Sequence, residues 1–189
     1  RIGTDVLGPG LRELAAKHVI LASGSVPVEL KSLPFDGKHI IDSWGALELE
    51  AIPQRLGVIG AGVTGLELGS VWRRLGSEVV VLEALPDFLP MADGAVSKEA
   101  LRHFRKLGLD IRLGTKVTAA KAAKGAVDVA YTDAQGAVQS VKVDTLVVAV
   151  GRKPNSHNLL AEGTGVKLDE RGFVVVDHAC RTGVPNVWA

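Results

Sequence analysis

The sequence predicts an α/β fold, and three observations carry that prediction. Short apolar runs at His18–Ala22, Leu56–Ile59, Val79–Leu82 and Thr145–Val150 alternate with segments of helical period. The run at Leu56–Ile59 breaks onto Gly60, Gly62 and Gly65, spaced Gly-x-Gly-x-x-Gly, and a helix-like stretch follows. The next apolar run closes on the acidic Glu83, 18 positions after Gly65 (83 − 65). Such a glycine pattern gains specificity when it leaves a strand, opens a helix and has an acid about 20 residues further on. Leu56–Glu83 therefore predicts a Rossmann-like unit.

Each residue of that stretch has a physical task in this reading. Gly60 permits the tight turn, Gly62 lets the backbone approach a pyrophosphate, and Gly65 lets the helix lie close against the strand. The phosphates of a dinucleotide would sit on free amides at the helix start, where the helix dipole favours anions. Glu83 then accepts hydrogen bonds from the adenosine ribose and repels a 2′-phosphate. Ala84, Leu85, Pro86 and Asp87 follow it, with no Arg to receive such a phosphate, so the preferred cofactor is NAD over NADP. The competing reading is a βαβ unit whose glycines serve packing alone, with Glu83 a solvated strand end.

Composition bounds the function classes. With 189 residues, 47% of them hydrophobic, the chain can bury one domain or slightly more, on a prior of about 150 residues per domain. Lys and Arg total 22 against 21 Asp and Glu, so no net field draws it to nucleic acid or to an anionic membrane. A single cysteine, Cys180, excludes an intrachain disulfide and a paired-cysteine metal site, and a reducing, cytoplasmic compartment is the default. No apolar run reaches the roughly 18 residues of a membrane helix. The start lacks the form of a signal peptide, and because it is Arg1 rather than Met the chain reads as a fragment or internal segment.

Taken in order, Arg1–Lys17 contains Gly8, Pro9 and Gly10 and reads as a turn approaching a strand. His18–Ala22 is expected to be a short buried strand ending on Ser23, Gly24 and Ser25, a candidate phosphate or ribose contact. Val26–Gln54, with Pro27, Pro34 and Pro53, reads as a connecting segment and domain crossing, with Asp42 and Ser43 able to cap a short helix at Trp44. Val63–Leu75 is helical, with Leu66, Val71 and Leu75 expected on its packing face, Glu67 a surface acid, and Gly76 as its stop.

Pro86 and Pro90 bound a loop, and Ala95–Leu107 is a second amphipathic helix buried along Leu101, Phe104 and Leu107. Its Arg102, His103, Arg105 and Lys106 form the solvated face. Asp110–Leu113 is a strand with its exit near Val117. Ala126–Thr132 and Val138–Val143 alternate around Ala134-Gln135-Gly136 as a β-hairpin, so the third crossover is a hairpin rather than a helix. Thr145–Val150 is a continuous apolar strand, as in a buried parallel position. After Pro154 come a helix-like stretch near Leu159, a turn at Glu170-Arg171-Gly172, a strand at Phe173–Val176 and a last apolar start at Val187–Ala189.

His18–Ser25, Gly60–Glu83, Val148–Asn155 (VAVGRKPN) and Asp177–Ala189 together resemble the flavin-dependent pyridine nucleotide-disulfide oxidoreductases. Within that family, GLELGSVWRRLGSEVVVLEALPDFLPMAD and LDERGFVVVD resemble the dihydrolipoamide dehydrogenase branch. The resemblance implies an NAD domain inserted into an FAD domain: residues 1–44 and 153–189 as FAD-domain pieces, 45–152 as the NAD-binding domain. It implies that Ser23, Gly24 and Ser25 touch FAD, and that Gly60, Ala61, Gly62, Val63, Thr64, Gly65, Leu66 and Glu67 form the NAD pyrophosphate turn, Glu67 near the nicotinamide end. It likewise implies Glu83 as the ribose acid, Val117 beside the adenine, and Gly151 as a backbone contact.

The family's first FAD fingerprint, redox cysteine pair, Gly-Asp motif and His-Glu pair have no counterpart in the sequence. Cys180 matches the returning FAD segment and reads as a structural thiol, and no residue is singled out as catalytic or as a metal ligand. The resemblance implies hydride transfer from reduced FAD to NAD+ during oxidation of dihydrolipoamide. Lipoyl groups of 2-oxoacid dehydrogenase complexes would be partners of a longer, homodimeric enzyme. Another NADH-dependent flavoprotein disulfide reductase, an NADH oxidase and a non-catalytic NAD-binding module are the alternatives.

Overall fold

The structure is a computed structural model that describes residues 16–123 and 125–189. In chain order the elements are β1 (Val19–Ile20), β2 (Ser25–Pro27), β3 (Ile40–Ile41), a 3-10 turn (Gly45–Leu47), β4 (Arg55–Ile59), α1 (Val63–Leu75), β5 (Glu78–Leu82), α2 (Gly94–Leu107) and β6 (Leu109–Arg112). There follow β7 (Lys116–Ala123), β8 (Ala126–Thr132), β9 (Val138–Val143), β10 (Thr145–Val148), β11 (Arg152–Pro154) and β12 (Val187–Trp188). The chain divides into two compact units: Pro27–Gly151, and the described residues up to Val26 together with Arg152–Ala189.

Pro27–Gly151 is built on a parallel five-stranded sheet of order β3-β10-β4-β5-β6. Its inner strands β10, β4 and β5 are largely apolar because both faces are covered, while the edge strand β6 alternates apolar and charged residues, and successive side chains point to opposite faces. Val58, Val79, Val81, Leu109 and Ile111 face α1 and α2, joining Leu66, Trp72 and Phe88 in one core. Ile59, Val80, Leu82, Leu146 and Val148 face the other way, onto Val127, Val129, Tyr131 and Val143 of the antiparallel sheet β7-β8-β9. The predicted hairpin is thus two of three strands: β7 pairs with β8 through a register shift between Val117 and Ala119. The composition of β7 hid the strand, since six of its eight residues are Ala or Lys.

The helices follow their sequence signals with one change of phase. In α1 the buried residues are Gly65, Leu66, Leu68, Gly69 and Trp72, whereas Val71 and Leu75 are about half exposed, against expectation. The glycines set the phase: a Cβ on Gly69 would already touch Leu109 and Val79 at 3.5 Å, so the helix lies on its small-residue stripe. Both helices end on a left-handed glycine, Gly76 at φ 116° and Gly108 at φ 99°. Asp93 caps α2, accepting from the N–H groups of Ala95 and Val96. Leu101, Phe104 and Leu107 pack against the helical core, as their spacing predicts.

Val26–Gln54 holds more than a connection. β3 pairs with β10, and Asp42 accepts from the N–H groups of Trp44 and Gly45 to start the 3-10 turn. By contacts the division falls at Val26/Pro27 and Gly151/Arg152, compared with 44/45 and 152/153 in the sequence reading, because β3 belongs to the parallel sheet.

In the other unit, β1 runs parallel to β12, and β11 pairs with β2. His18–Ala22 is not the buried strand expected. Only Val19 and Ile20 are extended, and Ile20 is 76% exposed, since β1 has one neighbouring strand. Phe173–Val176 forms no strand, only an isolated bridge from Val174 to Leu168, and the stretch at Leu159 is a turn and not a helix. The reading of Arg1–Lys17 lies, but for Ala16 and Lys17, outside the described residues.

Candidate nucleotide-binding site

The chain winds outward from β4 through α1, β5, α2 and β6, then returns to the other side of β4 as β10. The order reverses between β4 and β10, and open α/β sheets bind ligands at the carboxyl ends of strands at such a reversal. Gly60 leaves β4 at that point, with Ala149 and Val150 beside it at the exit of β10.

The three glycines are glycine for different reasons. Gly60 has φ 101°, and a Cβ there would lie 2.6 Å from the Ala149 carbonyl oxygen. Gly65, in the first turn of α1, would place its Cβ 2.1 Å from the carbonyl oxygen of Gly60, so helix and strand could not meet. Gly62 has ordinary extended backbone, φ −75° and ψ 178°. A Cβ there meets nothing within 4 Å. The protein itself makes no demand for glycine at Gly62, and the open space it faces is a cradle that a side chain would fill.

The start of α1 is open in a second sense. Gly62 is its N-cap and offers no side chain to the first-turn amides, and no acid occupies that turn. Asp93 does that work in α2. The amides and dipole of α1 are thus directed at the space in front of Gly62, where an anion is favoured. Val63 and Thr64 are exposed on this turn and Glu67 just after it, while Ala61 and Leu66 are buried beneath. Among the described residues the Glu67 carboxylate has no partner.

Glu83 reaches back across the turn. Its Oε2 accepts the Ala61 N–H at 2.7 Å and its Oε1 accepts the Leu85 N–H at 2.9 Å. A carboxylate has about four lone-pair sites, so two acceptor positions remain on a half-buried group. Sequence reasoning missed the Ala61 bond, because spacing reports the strand end and not the direction of its side chain. Val117 lies half-buried at the start of β7, and Gly151 follows β10 with φ 128° and open space at its Cβ position. The Gly60–Glu67 turn, Glu83, Val117 and Gly151 therefore all belong to Pro27–Gly151.

Ser23, Gly24 and Ser25 belong to the other unit, where they form an exposed turn held by the Arg152–Asn155 segment. Asn155 donates its backbone N–H to the Gly24 carbonyl at 3.0 Å and its Nδ2 to the Ser23 carbonyl at 3.3 Å. Arg152 donates Nε to Ser25 Oγ at 2.7 Å and a second nitrogen to the Ser25 carbonyl. Arg152 and Asn155 are site-shaping residues the sequence signalled only as part of VAVGRKPN. Cys180 is exposed and free, with φ 59°. Among the described residues no group of three or more His, Cys, Asp or Glu could hold a metal ion, and no helix is long and apolar enough to cross a membrane.

Comparison with known proteins identifies the family. Dihydrolipoyl dehydrogenase of Cupriavidus necator is 51% identical over 176 residues, covering 93% of this chain and 37% of that protein. Dihydrolipoyl dehydrogenase 3 of Pseudomonas aeruginosa is 41% identical over 189 residues, covering 100% of this chain and 40% of the relative. The chain thus spans well under half the length of these relatives. Among solved structures, the HOCl-induced flavoprotein disulfide reductase RclA of Escherichia coli superposes with a TM-score of 0.79 at 30% identity, over 90% of this chain and 38% of that one. LpdA of Mycobacterium tuberculosis gives a TM-score of 0.81 at 26% identity, over 92% and 37%. The family model described as pyridine nucleotide-disulphide oxidoreductase matches residues 4–189. The chain belongs to the pyridine nucleotide-disulphide oxidoreductase family.

Proposed function

We propose that Pro27–Gly151 binds NAD in a flavin-dependent dihydrolipoamide dehydrogenase, as the part that receives hydride from reduced FAD. One observation carries the nucleotide assignment: Gly62 faces open space at an uncapped helix start, on the side of the sheet where the strand order reverses. Bound FAD and NAD+ supply the redox chemistry; this chain's residues bind and orient. The amides of α1 take the pyrophosphate, Glu83 the ribose hydroxyls, Val117 and Gly151 line the adenine and backbone contacts, and Glu67 sits toward the nicotinamide. Ser23, Gly24 and Ser25, held by Asn155, contact FAD in the other unit. The lipoyl substrate is supported by the dihydrolipoyl dehydrogenase relatives, and we propose with it a longer homodimer serving 2-oxoacid dehydrogenase complexes, with a cytoplasmic location proposed from the single cysteine alone.

The likeness to RclA favours a second reading, a flavoprotein disulfide reductase with another substrate. Calorimetric titration with NADH and NADPH in parallel tests the nucleotide assignment. Saturable NADH binding with at least tenfold weaker NADPH binding, about 1.4 kcal/mol, is expected. A folded chain that binds neither returns the glycines to packing. Reduction of NAD+ by dihydrolipoamide in the full-length enzyme separates the first reading from the second.

A further inference from the structure

We propose that Thr115, to which the family motifs give no part, is a positioning residue that fixes Glu83 and thereby sets discrimination against 2′-phosphorylated nucleotides. The inference rests on the reading of Glu83 as the ribose acid. Thr115 is 4% exposed and follows β6 directly after Gly114. Its N–H donates to the Glu83 carbonyl at 2.7 Å. Its single hydroxyl proton is shared between the carbonyls of Arg112, at 2.8 Å, and Glu83, at 3.2 Å. The Arg112 carbonyl also accepts the Glu83 N–H at 2.9 Å, and the Gly114 N–H closes onto the Leu85 carbonyl at 2.9 Å.

The exits of β5 and β6 are therefore fastened together around one residue, with both backbone polar groups of Glu83 engaged. From that anchored backbone the side chain reaches the Ala61 N–H, which joins the acid to the glycine turn. Only an acid held in one direction can offer two lone pairs to a vicinal diol and refuse a phosphate at the same place. An acid free to rotate away binds the diol less well and admits the phosphate. The Thr115 hydroxyl is the side-chain contribution to that anchoring, since the N–H bond to Glu83 survives any substitution except proline.

The test is calorimetry with NADH and NADPH on the wild-type chain, Thr115→Val and Thr115→Ser, with thermal melts of each. Valine keeps the shape and removes the hydroxyl; serine keeps the hydroxyl. Thr115→Val is expected to lose about fivefold in NADH affinity, as for one neutral hydrogen bond, while NADPH affinity holds or rises, so the preference narrows at least fivefold. Thr115→Ser is expected to restore the wild-type ratio. An unchanged ratio in Thr115→Val overturns the proposal, as does an equal fall in both affinities, the mark of a merely structural residue, or failure of serine to rescue. If valine unfolds the chain, Thr115→Ala removes the same hydroxyl and is judged by the same ratio. A folded wild type that binds neither nucleotide overturns the parent reading instead, before any variant is compared.

Discussion

Gly62 and Gly65 stand three residues apart and make opposite predictions. An added methyl at Gly65 collides with the Gly60 carbonyl oxygen at 2.1 Å, a backbone atom that cannot give way cheaply. Gly65→Ala is expected to destabilise the fold by about 1–3 kcal/mol, the range for overpacking, seen as a lowered denaturation midpoint. At Gly62 the methyl meets only space. Gly62→Ala is expected to cost about 1 kcal/mol or less as a poorer N-cap, yet to weaken NADH binding roughly tenfold or more. Equal NADH affinity in Gly62→Ala and wild type would remove the pyrophosphate from this turn. At this scale the sequence was informative where chemistry depends on residue type and spacing, as for the glycines and Glu83. It was silent on the bond from the Ala61 N–H to Glu83 and on Thr115, since no spacing rule singles out a backbone N–H or a buried hydroxyl.

Among the elements, β4 and β10 depend on a link far apart in sequence. Asp144, between β9 and β10, accepts the Arg55 N–H at 2.8 Å and pairs with the Arg55 guanidinium at 2.7 Å, at the start of β4. Burial pushes the Asp144 carboxyl up, but the Arg55 guanidinium and N–H outweigh it and hold it below the usual carboxylate range. A carboxyl lowered in the folded state stabilises the fold above its unfolded value of about 3.9, and that stability is lost as pH falls through the folded value. Asp144→Ala is therefore expected to cost about 1–2 kcal/mol at pH 7, a loss that shrinks below pH of about 4 in urea titrations. A constant difference across pH would exclude the ionised pair as its cause. The strands of the parallel sheet were legible because burial on both faces leaves uninterrupted apolar runs. The phase of α1 was not, because Gly65 and Gly69 pack by having no side chain, and a hydrophobic pattern gives them no weight. β7 escaped for a related reason: its Ala and Lys residues pair through the backbone with little apolar signal.

For the molecule as a whole, the two units differ in how much they bury. Val58, Val81 and Val147 lie at 0% exposure inside the five-stranded sheet, whereas Phe173, Val175 and Val176 are all more than 40% exposed. Opening free energies follow local burial and hydrogen bonding. Hydrogen exchange is expected to show the slowest amides in β4, β5 and β10, and exchange at least a hundredfold faster across Phe173–Val176. Uniform protection of both segments would contradict this partition. Pairing of β1 with β12 was foreseeable only as two apolar ends; their parallel register needs residues far apart in the chain.

The return of β10 beside β4 also orders events in time. β4, α1, β5, α2 and β6 are assembled from neighbours in sequence, but β10 joins β4 only after the intervening 89-residue separation of Arg55 and Asp144 is closed. Long closures are slow relative to local ones. The exit of β10 is tied to the residue before Gly60, Ala149 donating its N–H to the Ile59 carbonyl at 2.8 Å, so the capacity to hold a ligand is expected to be the last property the refolding chain acquires. In stopped-flow refolding, recovery of helical circular dichroism should precede the rise of NADH fluorescence.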